Sequence, residues 1–309
     1  MKIVISGGTG FLGRPLTDAL AHDGHSIVVL TRGSSSNSAT ARRVTWQPDG
    51  TVGSWSSEID GADVVINLNG ESIGERRWSA TQKQRILDSR VAATRSLVAA
   101  VRRSTAPPSV MVSGSAVGYY GPLDDQIATE HTPPGRDFLA DVCVKWEAEA
   151  NRALSPRTRV VCVRTGLPLA RDGGALPRML PPFWFGAGGP IGSGRQYWPW
   201  IHRQDWIDVV RFAIGNPQIV GPMNATAPNP VTNQAFARAL GHAMHRPAFL
   251  PAPGFALRLL LGEMAEGLLL SGQRAIPAKA QQHGFKFAYE TLDRALANLF
   301  GGSRSGGTP

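Results

Sequence analysis

Residues 1–13, MKIVISGGTGFLG, decide the reading of the fold. An apolar strand, Ile3 to Ile5, runs straight into Gly7, Gly10 and Gly13, three glycines spaced three apart. A pyrophosphate needs a tight turn, then backbone close enough for its N–H groups to reach phosphate oxygens, then a helix whose positive N-terminal end faces the anion. Glycine at these three positions supplies each requirement, and the backbone of Thr9, Phe11 and Leu12 lies between them as further cofactor contact. Phe11, Leu16 and Leu20 have helical spacing, and His25 to Leu30 reads as the next parallel strand. Strand, turn, helix and strand together are the context a dinucleotide-binding turn requires.

The second strand bears on which dinucleotide is held. An acidic residue at its end accepts from a free ribose 2'-hydroxyl, whereas a cation tolerates a 2'-phosphate. Here SIVVLTRG ends in Thr31 and Arg32, with no Asp or Glu, which favours NADP over NAD. The competing reading of Arg32 is a surface arginine at a strand end. Arg42 or Arg43 could assist, but the Ser-rich loop from Gly33 to Ser38 intervenes and its path is unreadable. A further strand, Ala62 to Leu68, ends in NLNGES, where Leu68 and Asn69 form a second backbone contact point for the cofactor. Trp78 to Val101 carries Ile86, Val91, Leu97 and Val98 at helical spacing and is read as a long helix. Arg85 and Arg90 sit on it, either reaching the cofactor or merely solvated.

Val110 to Val112 continues into SGSAVGYYG, a serine-rich turn at the carboxyl end of a strand, where ligands of open α/β sheets bind. The glycine pattern, NLNG and SGSAVGYYG together resemble the extended branch of the short-chain dehydrogenase/reductase superfamily, the group of nucleotide-sugar epimerases and dehydratases. That resemblance implies a catalytic Ser, a Tyr and a Lys four residues after the Tyr, with the Lys also holding the nicotinamide ribose. Ser115 falls on the serine, with Ser113 close by. In DFLADVCVKWEAEA, Lys145 and Glu149 fit the family helix, but the position four before Lys145 is Asp141, not Tyr. Phe138, Leu139, Val142, Cys143, Trp146 and Ala150 share one helical face, and Asp141 and Lys145 lie on its flank one turn apart. Such a flank suits the rim of a cofactor cleft or a plain surface ion pair. Tyr119 and Tyr120 are the other candidate proton donors, or packed loop aromatics.

After the strand Val160 to Arg164 the chain becomes dense in Gly, Pro and aromatics, a composition that builds a shaped loop surface. Thr165 to Pro168 follows the strand directly, so Pro168 is expected at the nicotinamide end of the cofactor. Trp184, Phe185, Tyr197, Trp198 and Trp200 would wall a ligand pocket or join two lobes. The resemblance gives His202 and Asp205 a structural role in returning the chain to the nucleotide domain. No other His or Cys has ligand spacing, so no metal site is expected. GESIGERRW, FLADVCVKWE and the C-terminal stretch are similar to an atypical epimerase-like subgroup whose C-terminal domain, of undefined function, spans 249–297 here.

The expected fold class is therefore α/β: a Rossmann-type doubly wound parallel sheet with a smaller C-terminal α+β substrate lobe that closes over the nicotinamide. Residues 1–165 would form the NADP-binding domain, with the chain returning at 199–225, 166–300 the substrate lobe and 301–309 a flexible tail. The implied function is an NADP-dependent oxidoreductase, or epimerase-like enzyme, acting on a hydroxyl or carbonyl of a small molecule. Its alternative is an NADP(H)-binding regulatory or sensor protein without turnover.

Composition agrees with an ordinary globular protein. The chain has 309 residues, 42% hydrophobic, with a net charge of +9 spread over 32 scattered Lys and Arg rather than dense runs, so no nucleic-acid partner is expected. Phe255 to Leu270, the longest apolar stretch, is interrupted by Arg258, Glu263 and Glu266; it is read as a helix packed on the other lobe, not a membrane span. No signal peptide fits the N-terminus. Cys143 and Cys162 lie in apolar stretches and suit buried thiols in a reducing, cytoplasmic setting. A monomer or homodimer is expected.

Overall fold

The computed structural model describes residues 1–38 and 40–301. The tail expected to be flexible from 301 lies, from 302 on, outside the described residues. Eight strands form the main sheet: β1 (Lys2–Ser6), β2 (Ser26–Thr31), β3 (Ser36–Asn37), β4 (Arg42–Thr45), β5 (Val64–Asn67), β6 (Val110–Ala116), β7 (Arg159–Thr165) and β8 (Gly221–Ala225). Their spatial order is β8-β7-β6-β5-β1-β2-β4-β3. β1 pairs in parallel with β2 (Val4 opposite Val28) and with β5 (Val4 opposite Val65), and β5 with β6 (Val65 opposite Met111). At the sheet edge the short β3 pairs with β4 antiparallel. The doubly wound, mostly parallel sheet is thus the one expected. The unreadable serine loop resolves into β3 and β4, whose Arg-Arg-Val-Thr sequence is largely exposed at the sheet edge and so lacks the apolar pattern of a central strand.

The chain winds outward from β1 to β2 and β4, then returns to place β5 on the other side of β1. The switch in winding direction therefore falls between β1 and β5, the place in open α/β sheets where ligands bind beyond the carboxyl ends of the strands. The central strands are buried on both faces, which is why they read as continuous Val/Ile runs. Three helices matter to the site: α1 (Gly13–His22), α2 (Ala80–Arg103) and α3 (Phe138–Asn151). On one face Val4, Val28, Leu30, Val65, Met111 and Cys162 pack with Leu97, Val98 and Val101 of α2 and Ala150 of α3. Ser79 starts α2 by accepting the N–H of Gln82.

The chain divides into two compact units. The first comprises Met1–Tyr119, Phe138–Arg164 and Ile207–Met223. The second comprises Tyr120–Asp137, Thr165–Trp206 and the chain from Asn224 onward. In the second unit Leu169, Leu180, Phe183, Trp198, Trp200, Phe236, Leu240 and Leu296 form a core of their own. Trp198 and Trp200 are core residues there, whereas Trp184 and Phe185 are exposed. His202 stacks on Tyr289 at 3.8 Å between ring centres, and Asp205 accepts the backbone N–H groups of Ala288 and Tyr289. These contacts knit segments of the second unit to each other. Burial pushes the His202 imidazole down to about 4.

The stretch Phe255 to Leu270, read as one packed helix, is broken. A helix over Gly254–Leu261 stops at Gly262, whose φ of 63° only glycine adopts cheaply, and it leaves Phe255, Leu259 and Leu260 exposed. Among the described residues no helix is long and apolar enough to cross a membrane. Both cysteines are buried, and neither is in a disulfide.

Candidate functional site

At the carboxyl end of β1 the backbone turns sharply. Gly7 has φ 76°, and a Cβ there would stand 2.7 Å from the backbone carbonyl of Leu68. A Cβ on Gly13 would stand 2.1 Å from the Gly7 carbonyl oxygen. These two glycines exist because chain packs directly on chain. Gly10 is different: a Cβ there would meet only the Gly7 oxygen, at 3.3 Å, and would otherwise project into open space. The openness over Gly10 is what a pyrophosphate lying on the turn requires. α1 starts at Gly13 with no side-chain cap and no acidic residue in its first turn, so no carboxylate of that turn competes for its N-terminal end.

Residues 68–69, after β5, lie against this turn. Leu68 donates its N–H to Ser6, and Asn69 donates from its backbone and its side chain to the Asn67 side-chain oxygen at 3.3 Å. Asn67 is buried beside Thr94 and Ser113. The two expected backbone contact points are thus brought together at the switch in winding direction. Thr9 is exposed, and Phe11 and Leu12 are half-buried. These residues fit a dinucleotide: Gly10 leaves room for phosphate, and the loops after β1 and β5 flank it.

Thr31 closes β2 and its hydroxyl accepts the Gly33 N–H. Arg32 beside it is exposed and has no ion-pair partner among the described residues, unlike Arg42, which is bound to Glu58. Arg85 is exposed on α2. Arg90 instead donates to the carbonyls of Glu71 and Ile86 and lies over the Trp146 ring, pinning the loop after β5. Burial holds its guanidinium below the usual arginine range. Pro168 belongs to the second unit, in a short strand where it is opposite Ile201.

At the end of β6 the polar side chains are already joined to one another. Ser115 donates its hydroxyl to Glu147 Oε1 at 2.6 Å. Arg164, from β7, donates its Nε to the same oxygen and its Nη2 to Oε2, both at 2.8 Å. Ser115, Glu147 and Arg164 are 4%, 7% and 2% exposed. The Tyr119 ring lies on the guanidinium of Arg164, 3.4 Å from it. Cys143 sits beside Ser115, and burial pushes its thiol up to about 12, so it is no nucleophile.

Asp141 and Lys145 stand elsewhere. They pair with each other at 2.7 Å, each side chain 52% exposed. Lys145 lines a groove with Leu87, Asp88 and Val91 of α2. At about 100° per residue, Lys145 and Glu147 point to opposite sides of α3. The structure therefore does not bring Lys145 to Ser115; Glu147 takes that place. Tyr120 is 1% exposed and its hydroxyl donates to Asn224 at 2.6 Å, inside the second unit. Sequence reasoning missed Glu147 and Arg164. The available signal was a cation closing the otherwise apolar run VVCVR, which cannot be buried without a partner.

Comparison with known proteins agrees with this geometry. Residues 3–225 match the model of the NAD dependent epimerase/dehydratase family, and 252–299 match a domain of unknown function, DUF1731. The chain is 40% identical over 296 residues to the epimerase family protein ML0860 of Mycobacterium leprae, covering 96% of this chain and 94% of that one. The human epimerase family protein SDR39U1, crystallised with NADPH, superposes with a TM-score of 0.90 at 34% identity, covering 98% of this chain and all of that one. A nucleoside-diphosphate sugar epimerase from Corynebacterium glutamicum superposes at 0.79 with 33% identity, over 97% of this chain and 58% of that one.

Proposed function

This chain belongs to the NAD dependent epimerase/dehydratase family, and from that premise we propose that it is an NADP(H)-dependent oxidoreductase of epimerase-like type acting on a small molecule that carries a hydroxyl or carbonyl. The observation that carries the reading is the glycine turn: an open Gly10 face at the switch point, flanked by the loop after β5 and by the uncapped start of α1. The NADPH in the crystal structure of the similar human protein supports the phosphorylated cofactor, and so does the exposed Arg32 at the end of β2. When bound, the cofactor would supply hydride exchange with a substrate carbon. The glycine turn and Leu68–Asn69 would hold it, and Arg32 would meet the 2'-phosphate. Ser115 would touch the substrate oxygen. The two buried cysteines, neither in a disulfide, suit a cytoplasmic enzyme.

The exposed Asp141–Lys145 pair, standing where the family places its Tyr and Lys, favours a second reading in which the protein senses NADP(H) without turnover. Fluorescence titration with NADPH and NADH, followed by a screen of carbonyl compounds for NADPH oxidation, separates the two. Oxidation that disappears in Ser115→Ala supports the enzyme; tight binding with no oxidation across a broad panel supports the sensor. Arg32→Glu is expected to weaken NADPH about ten-fold relative to NADH. If it does not, the assignment of NADP through Arg32 is wrong.

A further inference from the structure

A serine hydroxyl has one proton to donate and two lone pairs to accept with. At Ser115 the donor is already directed into the protein, because the oxygen 2.6 Å away belongs to a carboxylate in an ion pair with Arg164. A carboxylate in that state only accepts, so the proton lies on the line between the two oxygens. The geometry is fixed on several sides. Arg164 grips both oxygens of Glu147 side-on, and the Tyr119 ring covers the face of the guanidinium. Such a two-pronged, charge-assisted contact defines the orientation of the carboxylate as well as its place. The neighbouring Cys143 thiol is a far weaker acceptor than the carboxylate and does not divert the proton.

We propose that Glu147, held by Arg164, is a positioning residue that makes Ser115 a hydrogen-bond acceptor toward the ligand, so that the site takes a hydroxyl compound in preference to the ketone of the same skeleton. The inference rests on the reading of Ser115 as the residue that touches substrate, and it adds the oxidation state of the group recognised. A secondary alcohol can donate to the free lone pair of Ser115. The related ketone has no proton to offer and would set its oxygen against the Ser115 oxygen, a loss comparable to leaving a buried polar group unpaired.

The test uses the full chain loaded with cofactor and a matched pair of probes, cyclohexanol and cyclohexanone. Dissociation constants are measured by ligand-observed NMR for the alcohol on the NADPH complex and for the ketone on the NADP+ complex, pairings that cannot react. The alcohol is expected to bind about ten-fold tighter than the ketone. Ser115→Ala should bring that ratio close to one. Glu147→Gln, which puts an N–H donor within reach of Ser115, should lower or invert it, while Glu147→Asp should retain part of it. A residue that only stabilised the fold would weaken both probes and leave the ratio alone. NADPH affinity is followed in every variant, so a chain that fails to bind NADPH points to the failure of the cofactor reading rather than of this one. Equal or tighter binding of the ketone by the wild-type chain, undetectable binding of the alcohol, or an unchanged ratio in Ser115→Ala would each overturn the proposal.

Discussion

The turn after β1 and the corner where β6 meets α3 lie at the same edge of one sheet, yet they solve opposite problems. The turn is made of backbone and keeps room for something else: Gly10 faces open space and α1 begins uncapped. The corner is made of side chains that have already satisfied one another, with Ser115, Glu147 and Arg164 closed into one buried network. A place built to receive an anion leaves room over its backbone, whereas a place built to present a single oxygen fixes every group around it. The difference teaches that burial of polar groups has two meanings here, reception at one corner and orientation at the other.

Four substitutions would break or sharpen that contrast. The largest effect belongs to the closed corner: Glu147→Ala strands the Arg164 cation in the interior and is expected to cost about 3–5 kcal/mol in a urea unfolding titration. A loss below about 1 kcal/mol would mean the network is dispensable and the contrast false. Gly13→Ala forces a methyl against the Gly7 oxygen and should cost about 3 kcal/mol, measured in the same way. Gly10→Ala should separate the two meanings at the turn. The apoprotein keeps its stability, but the gain from NADPH, about 2.7 kcal/mol at a hundred-fold excess over Kd in the wild type, should largely vanish. Retained stabilisation by NADPH would show that the Gly10 face is not where the cofactor lies. The smallest effect is expected outside both regions: Asp141→Asn removes only an exposed i,i+4 pair, worth about 0.3–0.5 kcal/mol. A large drop in stability or NADPH affinity there would restore Asp141 and Lys145 to the site.

The contrast also explains what the sequence could reveal. The turn is local: its three glycines, the strand before it and the helix after it fall within twenty-odd consecutive residues, so spacing alone expresses the geometry. The places of Arg32 and Leu68–Asn69 just after strands were legible for a related reason, since the apolar run of each strand marks where its loop begins. The corner is assembled from Ser115, Glu147 and Arg164 on three elements, with partners 32 and 17 positions apart in sequence. No periodicity records which face of α3 meets β6. Lys145 and Glu149 fit the helix that the resemblance implies, but helical geometry carries Lys145 to the side opposite Glu147. Tyr119 and Tyr120 are adjacent in sequence and diverge in space, one ring on Arg164 and the other hydroxyl on Asn224, because the chain passes from the first unit to the second between them.

That interleaving of segments has a consequence for how the protein is made. The first unit takes residues from three separate stretches of chain, and the second takes the two stretches between them and the chain from Asn224 onward. During synthesis the glycine turn, Ser115 and α3 are all translated before β7, and β8 is complete only at residue 225. The half-built sheet must therefore wait with the flank of β6 uncovered, an edge open to pairing with other nascent chains. A product cut short near residue 200 would carry every glycine of the turn and the whole Ser115 network, and still lack the strand that finishes the sheet.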